Sequence, residues 1–244
     1  MIPWLETGAS FPPTTQALGA DSDAPGLLAA SQDLTVARLQ SAYRAGIFPW
    51  FSPGQPVLWW STDPRMVLPT REFKVSRSFK KTLRRFQQSE RCEIRIDSAF
   101  DSVIQACAQT ARRGQAGTWI VKDIQLAYRQ WHERGAVHSF ETWVDGQLAG
   151  GLYGVSLGRM FFGESMFAWQ TDASKIALAA LVCFCRANQI DVIDCQQETS
   201  HLASMGARPW PREKFEAHLR GVIDLEVPKN WSYDASLWRQ LLDE

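Results

Sequence analysis

The chain is 244 residues long, which is enough to bury a sizeable core as one large domain or as two unequal ones. Lysine and arginine together number 26, as do aspartate and glutamate, so the net charge is zero and no global field attracts nucleic acid. Any nucleic-acid binding must therefore come from a local basic patch.

The cysteines and the apolar runs indicate a reduced, cytoplasmic protein. Five cysteines are an odd number, and they lack the C-x-x-C spacing that zinc or redox sites need. The N-terminus carries Glu6 and no basic segment followed by an apolar run, so we expect no signal peptide. The longest apolar run, Ile176–Cys185, is too short to span a bilayer, and we expect no membrane partner.

Residues 1–64 are expected to form a small N-terminal α/β domain. Proline, glycine, alanine and serine dominate residues 1–30, which predicts an irregular arm over the surface. The predicted elements that follow are a helix over Val36–Ala45, between its cap Thr35 and Gly46, and a strand over Val57–Trp60.

Aromatic residues are concentrated in this first part of the chain. Eleven tryptophans are many for this length, and Trp50, Trp59 and Trp60 are close together in sequence. Such side chains provide flat surfaces for stacking as well as bulk for a core. For Phe48, Trp50 and Phe51 the sequence leaves both interpretations open.

A helix predicted over Ser76–Gln87 carries five cations on one face. They recur at the spacing of successive helical turns: Arg77, Lys80, Lys81, Arg84 and Arg85. Because like charges so placed repel one another, a phosphate backbone is a suitable partner, and a solvated helix face is the alternative. Four further arginines could extend the patch: Arg91, Arg95, Arg112 and Arg113.

The middle of the chain predicts a strand over Cys92–Asp97 and helices over Ser98–Gln109 and Asp123–Glu133. His132 and His138 are six residues apart, so they cannot face one metal from a single helix, and we expect no metal site.

An antiparallel meander, a helix and a returning strand come next. Asp145-Gly146 between alternating runs is a strong hairpin signal. The apolar helix, capped by Thr171 or Asp172, allows the last strand to lie parallel and adjacent to the third. The predicted elements are strands over Ser139–Val144, Gln147–Val155 and Arg159–Met166, the helix over Ser174–Ala187, ended by Asn188, and a strand over Asp191–Cys195.

Polar side chains interrupt the two strands that should lie side by side. Two-residue spacing would turn Glu164 and Met166 to one face, and Asp194 and Gln196 to one face, so that they share one crevice. A structural ion pair is the alternative, because buried carboxylates are costly unless paired. A serine hydrolase is excluded, because the G-x-S-x-G motif needs glycine where Phe167 stands.

The C-terminal part predicts short helices over Ser200–Met205 and Pro211–Arg220, a possible edge strand over Asp224–Val227, and a loosely patterned tail from Pro228. Together these elements favour an α+β fold in which residues 65–244 form an acetyltransferase-like (GNAT) catalytic domain. Coenzyme A fits poorly, since the turn 168–173 lacks glycine and Asp172 would repel phosphate. The basic helix points instead to an acyl donor carried on RNA.

From about Gly26 to Arg212, a series of motifs in the same order along the chain resembles those of bacterial leucyl/phenylalanyl-tRNA–protein transferases. The motifs are the stretches Tyr43–Phe51, Trp59–Arg65, Gly117–Ile120, Gly150–Gly154, Phe162–Phe167, Ala173–Lys175 and Ile193–Gln196. The resemblance implies transfer of Leu or Phe, and less well Met, from aminoacyl-tRNA to proteins with N-terminal Arg or Lys. It also implies that the product is marked for N-degron degradation and that the enzyme is cytoplasmic and needs no metal or cofactor.

Roles carried over from the family fall on residues that match its motifs. Asp194 and Gln196 resemble the catalytic pair, in which the Gln196 amide oxygen, polarised by Asp194, receives a proton from the attacking amine. Asp194 could equally only orient the site. Glu164 resembles the residue that fixes the terminal adenosine or the incoming amine. Two further assignments come from the residues themselves. Trp50 and Trp119 are assigned to the 3′-terminal adenosine, because aromatic rings stack on bases, with core packing as the alternative. The basic helix assigns Arg77, Lys81, Arg84 and Arg85 to tRNA.

The aminoacyl side-chain pocket of the family corresponds to six apolar positions here: Leu152, Phe161, Met166, Leu178, Leu181 and Ile193. The chain departs from the family pattern at Leu152 and Leu181, where methionine and phenylalanine are expected, and at Thr199, where asparagine is expected. Two other hypotheses remain open: an RNA-binding protein without activity, and a transferase that uses aminoacyl-tRNA to modify a cell-wall peptide.

Overall fold

A computed structural model describes residues 2–110 and 119–243. Within these ranges, the chain forms eleven strands in two sheets, together with eight α-helices. The strands are β1 (Trp4–Leu5), β2 (Leu27–Ser31), β3 (Phe48–Pro49), β4 (Val57–Trp60), β5 (Arg65–Pro69), β6 (Cys92–Ile96), β7 (Val137–Val144), β8 (Gln147–Leu157), β9 (Met160–Ala168), β10 (Val192–Gln196) and β11 (Arg208–Trp210). The helices are α1 (Val36–Arg44), α2 (Arg77–Gln88), α3 (Phe100–Gln109), α4 (Lys122–Glu133), α5 (Ala173–Ala187), α6 (Ser200–Ser204), α7 (Arg212–Val222) and α8 (Arg239–Leu242).

The small sheet has the order β1-β2-β4-β3. It corrects the prediction of an irregular arm over residues 1–30, because β1 and β2 lie in that segment and β2 is an inner strand. β2 could not be recognised from the sequence, because its residues are apolar on both faces and therefore show no alternation. Glycine- and proline-rich turns also precede it. The helix prediction is confirmed: the Thr35 side chain accepts a hydrogen bond from the Arg38 N–H, and Gly46 follows α1 in a left-handed conformation.

The large sheet has the order β11-β5-β10-β9-β8-β7-β6. The meander β7-β8-β9 is confirmed, as is the parallel pairing of β10 with β9 across the connecting helix α5. The strand β5 was not predicted, because proline lies directly before it and at its end and suggests turns. It is nevertheless fully buried and pairs antiparallel with β10.

The predicted edge strand over Asp224–Val227 is wrong. That segment has no strand structure, and Leu225 and Val227 are 45% and 47% exposed. Edge positions of the large sheet are taken by β11, which pairs with β5, and by β6, which pairs with β7.

Two hydrophobic cores cover opposite faces of the large sheet. Neighbouring residues of β9, Phe161 and Phe162, belong to different cores, as expected for alternating strand positions. The α4-side core joins the small sheet with α1, α3 and α4. The α5-side core contains α5, the apolar face of α2 and the C-terminal residues around Trp238.

Candidate active site

A cavity of about 570 Å³ opens where the parallel strands β9 and β10 separate. Paired positions between these strands are Ile193 with Phe161 and Asp194 with Phe162. Beyond them the strands diverge, and Glu164 and Gln196 line the space between them. The volume lies in the range that small-molecule sites occupy, so this crevice is the candidate site.

A β-bulge in each strand decides which way the polar side chains point. The register of β9 against β8 shifts so that Glu164 is the extra residue, and that of β10 against β5 shifts at Cys195. Glu164 therefore contacts the α4-side core, whereas Met166 packs on the α5-side core. The prediction that these two residues share one strand face is wrong, although both line the cavity.

The carboxylate of Glu164 is bound by three side chains. Its Oε1 accepts hydrogen bonds from Tyr43 Oη at 2.7 Å and from Gln196 Nε2 at 2.9 Å, and its Oε2 accepts one from Tyr128 Oη at 3.2 Å. The two tyrosine hydroxyl oxygens also contact each other, and because each hydroxyl has one proton, they satisfy two of their three contacts at a time. Burial, together with the negative charge of Asp194, raises the pKa of Glu164 to about 7, against the lowering effect of the tyrosine hydrogen bonds.

Asp194 is fully buried and bound in a bidentate ion pair by Arg65. Its Oδ1 and Oδ2 accept from Arg65 Nε and Nη2 at 2.8 and 2.7 Å. The guanidinium lies between the rings of Phe48 and Phe215, 4.6 and 4.7 Å from their centroids. This planar geometry is the strong form of an arginine–carboxylate pair, so the orientation of Asp194 is fixed.

Asp194 contacts Gln196 through the backbone. Its Oδ1 accepts the Gln196 backbone N–H at 2.9 Å, which stabilises the left-handed conformation of Gln196 at φ 61°. We expected Asp194 to polarise the Gln196 amide, but the carboxylate that contacts that amide is Glu164. The amide nitrogen donates to Glu164, so the amide oxygen Oε1 is the atom of this side chain that could accept from an incoming amine.

Five of the six residues predicted for the aminoacyl pocket line the apolar side of this cavity: Leu152, Met166, Leu178, Leu181 and Ile193. Phe161 is instead fully buried in the α5-side core, where it packs edge-on against Phe140. These five apolar side chains therefore line the same cavity as Glu164 and Gln196.

Trp50 and Trp119 both line the cavity on the side away from α5. Trp50 is partly exposed and packs edge-on against Trp60 at 5.2 Å, while Trp119 is 8% exposed and belongs to the α4-side core. Phe48 and Phe51 are buried in that core, so the local-cluster interpretation holds for them.

The predicted basic face lies on the exposed side of α2. Phe79, Leu83 and Phe86 are buried beneath it, and four of its cations are exposed: Arg77, Lys81, Arg84 and Arg85. Arg84 also donates to the backbone oxygen of Leu242, which links α2 to the C-terminus. Arg112 and Arg113, like Gly117 and Thr118 of the motif before Trp119, lie outside the described residues.

Sequence reasoning did not single out Arg65, Tyr43 or Tyr128 as members of the site. Arg65 and Tyr43 lie within quoted motifs, yet their partners are 129 and 121 residues away, so no local pattern could pair them. Three further cavity residues also come from beyond the predicted set: Thr199, His201 and Leu202.

The histidines considered for zinc serve in packing. His138 stacks on Trp231 and hydrogen-bonds Asp97, and His132 stacks on Phe100. In the part of the chain that the structure describes, no group of three His, Cys, Asp or Glu residues could hold a metal ion. No helix in that same part is long and apolar enough to cross a membrane.

Comparison with known proteins places two family models on the chain. Residues 67–220 match the model described as leucyl/phenylalanyl-tRNA protein transferase, and residues 32–63 match the model of its N-terminal domain. Proteins named leucyl/phenylalanyl-tRNA–protein transferase are similar over nearly the whole length. That of Leptothrix cholodnii is 64% identical, covering 100% of this chain and 96% of the relative. That of Methylibium petroleiphilum is 63% identical, covering 99% and 91%.

A solved structure of a protein of unknown function from Staphylococcus epidermidis aligns with a TM-score of 0.37 and 9% identity, covering 76% of this chain and 68% of that one. This value is too low to support an assignment of fold family.

Proposed function

The chain belongs to the leucyl/phenylalanyl-tRNA protein transferase family, and we propose that it transfers an aminoacyl group from tRNA to the N-terminal amine of a protein. The observation that carries this proposal is 64% identity over the full chain to a relative that bears this name. The donor is Leu-tRNA or Phe-tRNA, with Met-tRNA used less well. The acceptors are proteins with N-terminal Arg or Lys, and the product is marked for N-degron degradation in the cytoplasm.

The reaction is attack of the acceptor α-amine on the ester carbonyl of the aminoacyl-tRNA. An ester is already activated, so holding the amine and the carbonyl together in the cavity can provide much of the rate. The Gln196 Nε2–H donates to Glu164 at the edge of the cavity, which supports a role for the amide oxygen Oε1 in accepting the amine proton. Asp194, fixed by Arg65, would hold the Gln196 backbone in the conformation that this role needs.

The apolar side of the cavity would receive the Leu or Phe side chain, against Leu152, Leu178 and Leu181. Trp50 and Trp119 would hold the terminal adenosine, because aromatic side chains stack on any base and Trp50 is partly exposed at the cavity. The four exposed cations of α2, Arg77, Lys81, Arg84 and Arg85, would contact the phosphates of the tRNA stem.

The proposal extends to the architecture. Residues 1–64 would form the small N-terminal domain and residues 65–244 the catalytic domain. The change of sheet between β4 and β5 supports this boundary. An acetyltransferase-like arrangement of the second domain is supported by the separation of parallel β9 and β10 around the cavity, with α5 connecting them.

One assay separates the proposed function from its alternatives. The protein is incubated with labelled Leu-tRNA and a peptide that begins with Arg or Lys, beside a peptide that begins with Ala. We expect label in the Arg and Lys peptides alone. Equal labelling of the Ala peptide would indicate a transferase of broader acceptor range, such as one for cell-wall peptides. Binding of Leu-tRNA without labelling of any peptide would indicate an RNA-binding protein.

A further inference from the structure

An amide is a weak base, so Gln196 needs a partner if its oxygen is to take a proton from the acceptor amine. The described residues offer two carboxylates near it, Asp194 and Glu164, and they are bound differently. Both oxygens of Asp194 are engaged by Arg65, and its contact with Gln196 is to the backbone N–H. Glu164 Oε1 is 2.9 Å from the side-chain Nε2 of Gln196.

We propose that Glu164, and not Asp194, exchanges protons with the Gln196 amide during aminoacyl transfer, with Tyr43 and Tyr128 as the positioning residues that keep Glu164 able to do so. This inference rests on the proposed function. It assigns Asp194 and Arg65 to holding the backbone of Gln196, outside the path of the proton.

The proton path follows the hydrogen bonds. As the neutral amine nitrogen bonds to the ester carbonyl carbon, the carbonyl π electrons move to its oxygen, and one N–H proton passes to Gln196 Oε1. The Nε2 of Gln196 gives a proton to Glu164 Oε1 at the same time, so the side chain of Gln196 remains neutral. When the carbonyl re-forms, the bond to the ribose oxygen breaks. That oxygen takes the proton from Gln196 Oε1, and Glu164 returns its proton to Nε2.

The surroundings of Glu164 suit a group that gains and loses a proton near neutral pH. Burial and the charge of Asp194 raise its pKa to about 7, whereas the hydrogen bonds of Tyr43 and Tyr128 and the charge of Arg65 lower it. Burial raises the pKa of both tyrosines well above its usual value, so both hydroxyls stay protonated throughout the range of an assay. Each tyrosine therefore favours the carboxylate that the proposal requires.

The test is the pH profile of kcat/KM for an Arg peptide with saturating Leu-tRNA. The acceptor α-amine must be neutral, with a pKa of about 8, and Glu164 must be ionised, so the wild-type profile should show two ionisations on its acid side. Glu164→Gln keeps the volume and one acceptor oxygen but cannot take a proton. It should lower the rate about 100-fold at pH 8. Its pH profile should then show the ionisation of the amine only.

The variants Tyr43→Phe and Tyr128→Phe test whether the tyrosines set the pKa of Glu164. Each removes one hydrogen bond that stabilises ionised Glu164, so its pKa should rise further, and the lower ionisation of the profile should move to higher pH. Activity well above that pH should approach the wild-type value. Tyr233→Phe, which removes a hydroxyl from the C-terminal segment on the α5-side core, is the matched control and should leave the profile unchanged.

The proposal is overturned if both tyrosine variants reduce the rate equally at every pH, because that result indicates a purely structural role. It is also overturned if Glu164→Gln keeps both ionisations. Melting temperatures over the same pH range identify a variant that fails to fold, and the other tyrosine variant then decides. Absence of transfer by the wild-type protein at every pH would instead refute the proposed function itself.

Discussion

A fully buried carboxylate must be compensated, and Arg65 provides this compensation for Asp194. Both side chains are almost entirely inaccessible to solvent, at 1% and 0% exposure. The ion pair therefore couples the architecture to the site, because the same Asp194 oxygen that binds Arg65 Nε also fixes the backbone of Gln196. A change at Asp194 should affect stability as well as activity.

Asp194→Ala should lower the free energy of unfolding by about 3 to 5 kcal/mol, because it leaves the Arg65 guanidinium buried without its counter-ion. Transfer should be lost, while the folded fraction should bind tRNA with nearly unchanged affinity, since Asp194 lies far from any exposed phosphate-binding surface. Urea unfolding and filter binding measure the two effects. The double variant Arg65→Met, Asp194→Leu should regain stability but not activity; recovery of transfer in it would refute the positioning role.

Trp50→Ala should raise the KM for aminoacyl-tRNA, because stacking on a base contributes about 1 to 3 kcal/mol. Its partial exposure predicts a small change in melting temperature. Trp119→Ala removes a side chain that is 8% exposed from the α4-side core and should destabilise the fold, so Trp50 gives the cleaner test. If Trp50→Ala lowered the melting temperature strongly and left the KM unchanged, its role would be packing alone.

At the scale of elements, α2 presents the clearest division between an apolar and a cationic face. Replacing Arg77, Lys81, Arg84 and Arg85 by Ala should weaken tRNA binding and flatten the slope of log affinity against log salt by up to about 0.9 per lost phosphate contact. A minimal donor, the terminal aminoacyl-adenosine, should be unaffected, because it lacks the stem.

A charge-matched control for α2 is the double variant Arg134→Ala, Arg220→Ala, which removes exposed cations from the C-terminal end of α4 and from α7. It should keep the salt slope of the wild type, and Arg77→Ala with Lys81→Ala should not. An unchanged slope in the α2 quadruple variant would mean that this face is solvated and that tRNA binds elsewhere.

The elements also show where sequence patterns suffice. Helices α1, α2 and α5 and the meander could be predicted, because caps, periodicity and an Asp-Gly turn are local signals. The two bulges could not be predicted, because a bulge is a mismatch of register between two strands. The residues next to Glu164 in sequence give no signal of it. The bulges determine that Glu164 turns to the tyrosines and not to the aminoacyl pocket.

At the scale of the whole molecule, the site is assembled from distant segments. Tyr43 comes from α1, Arg65 from β5, Glu164 from β9 and Gln196 from β10. Periodicity and turn signals extend over about a dozen residues, whereas the side-chain pairs Glu164–Gln196 and Arg65–Asp194 join residues 32 and 129 positions apart. The candidate carboxylates and amide could be predicted from their strand positions, but their partners could not.

The central claim is that Gln196, in this cavity, takes part in aminoacyl transfer, and the single-turnover rate with pre-bound Leu-tRNA and an Arg peptide tests it directly. Because the stem and the adenosine would be bound by other residues, Gln196→Ala should keep the dissociation constant for Leu-tRNA. The rate of transfer should fall about 100-fold, as expected for the loss of a group that moves a proton. An unchanged single-turnover rate in a folded Gln196→Ala variant would contradict the claim.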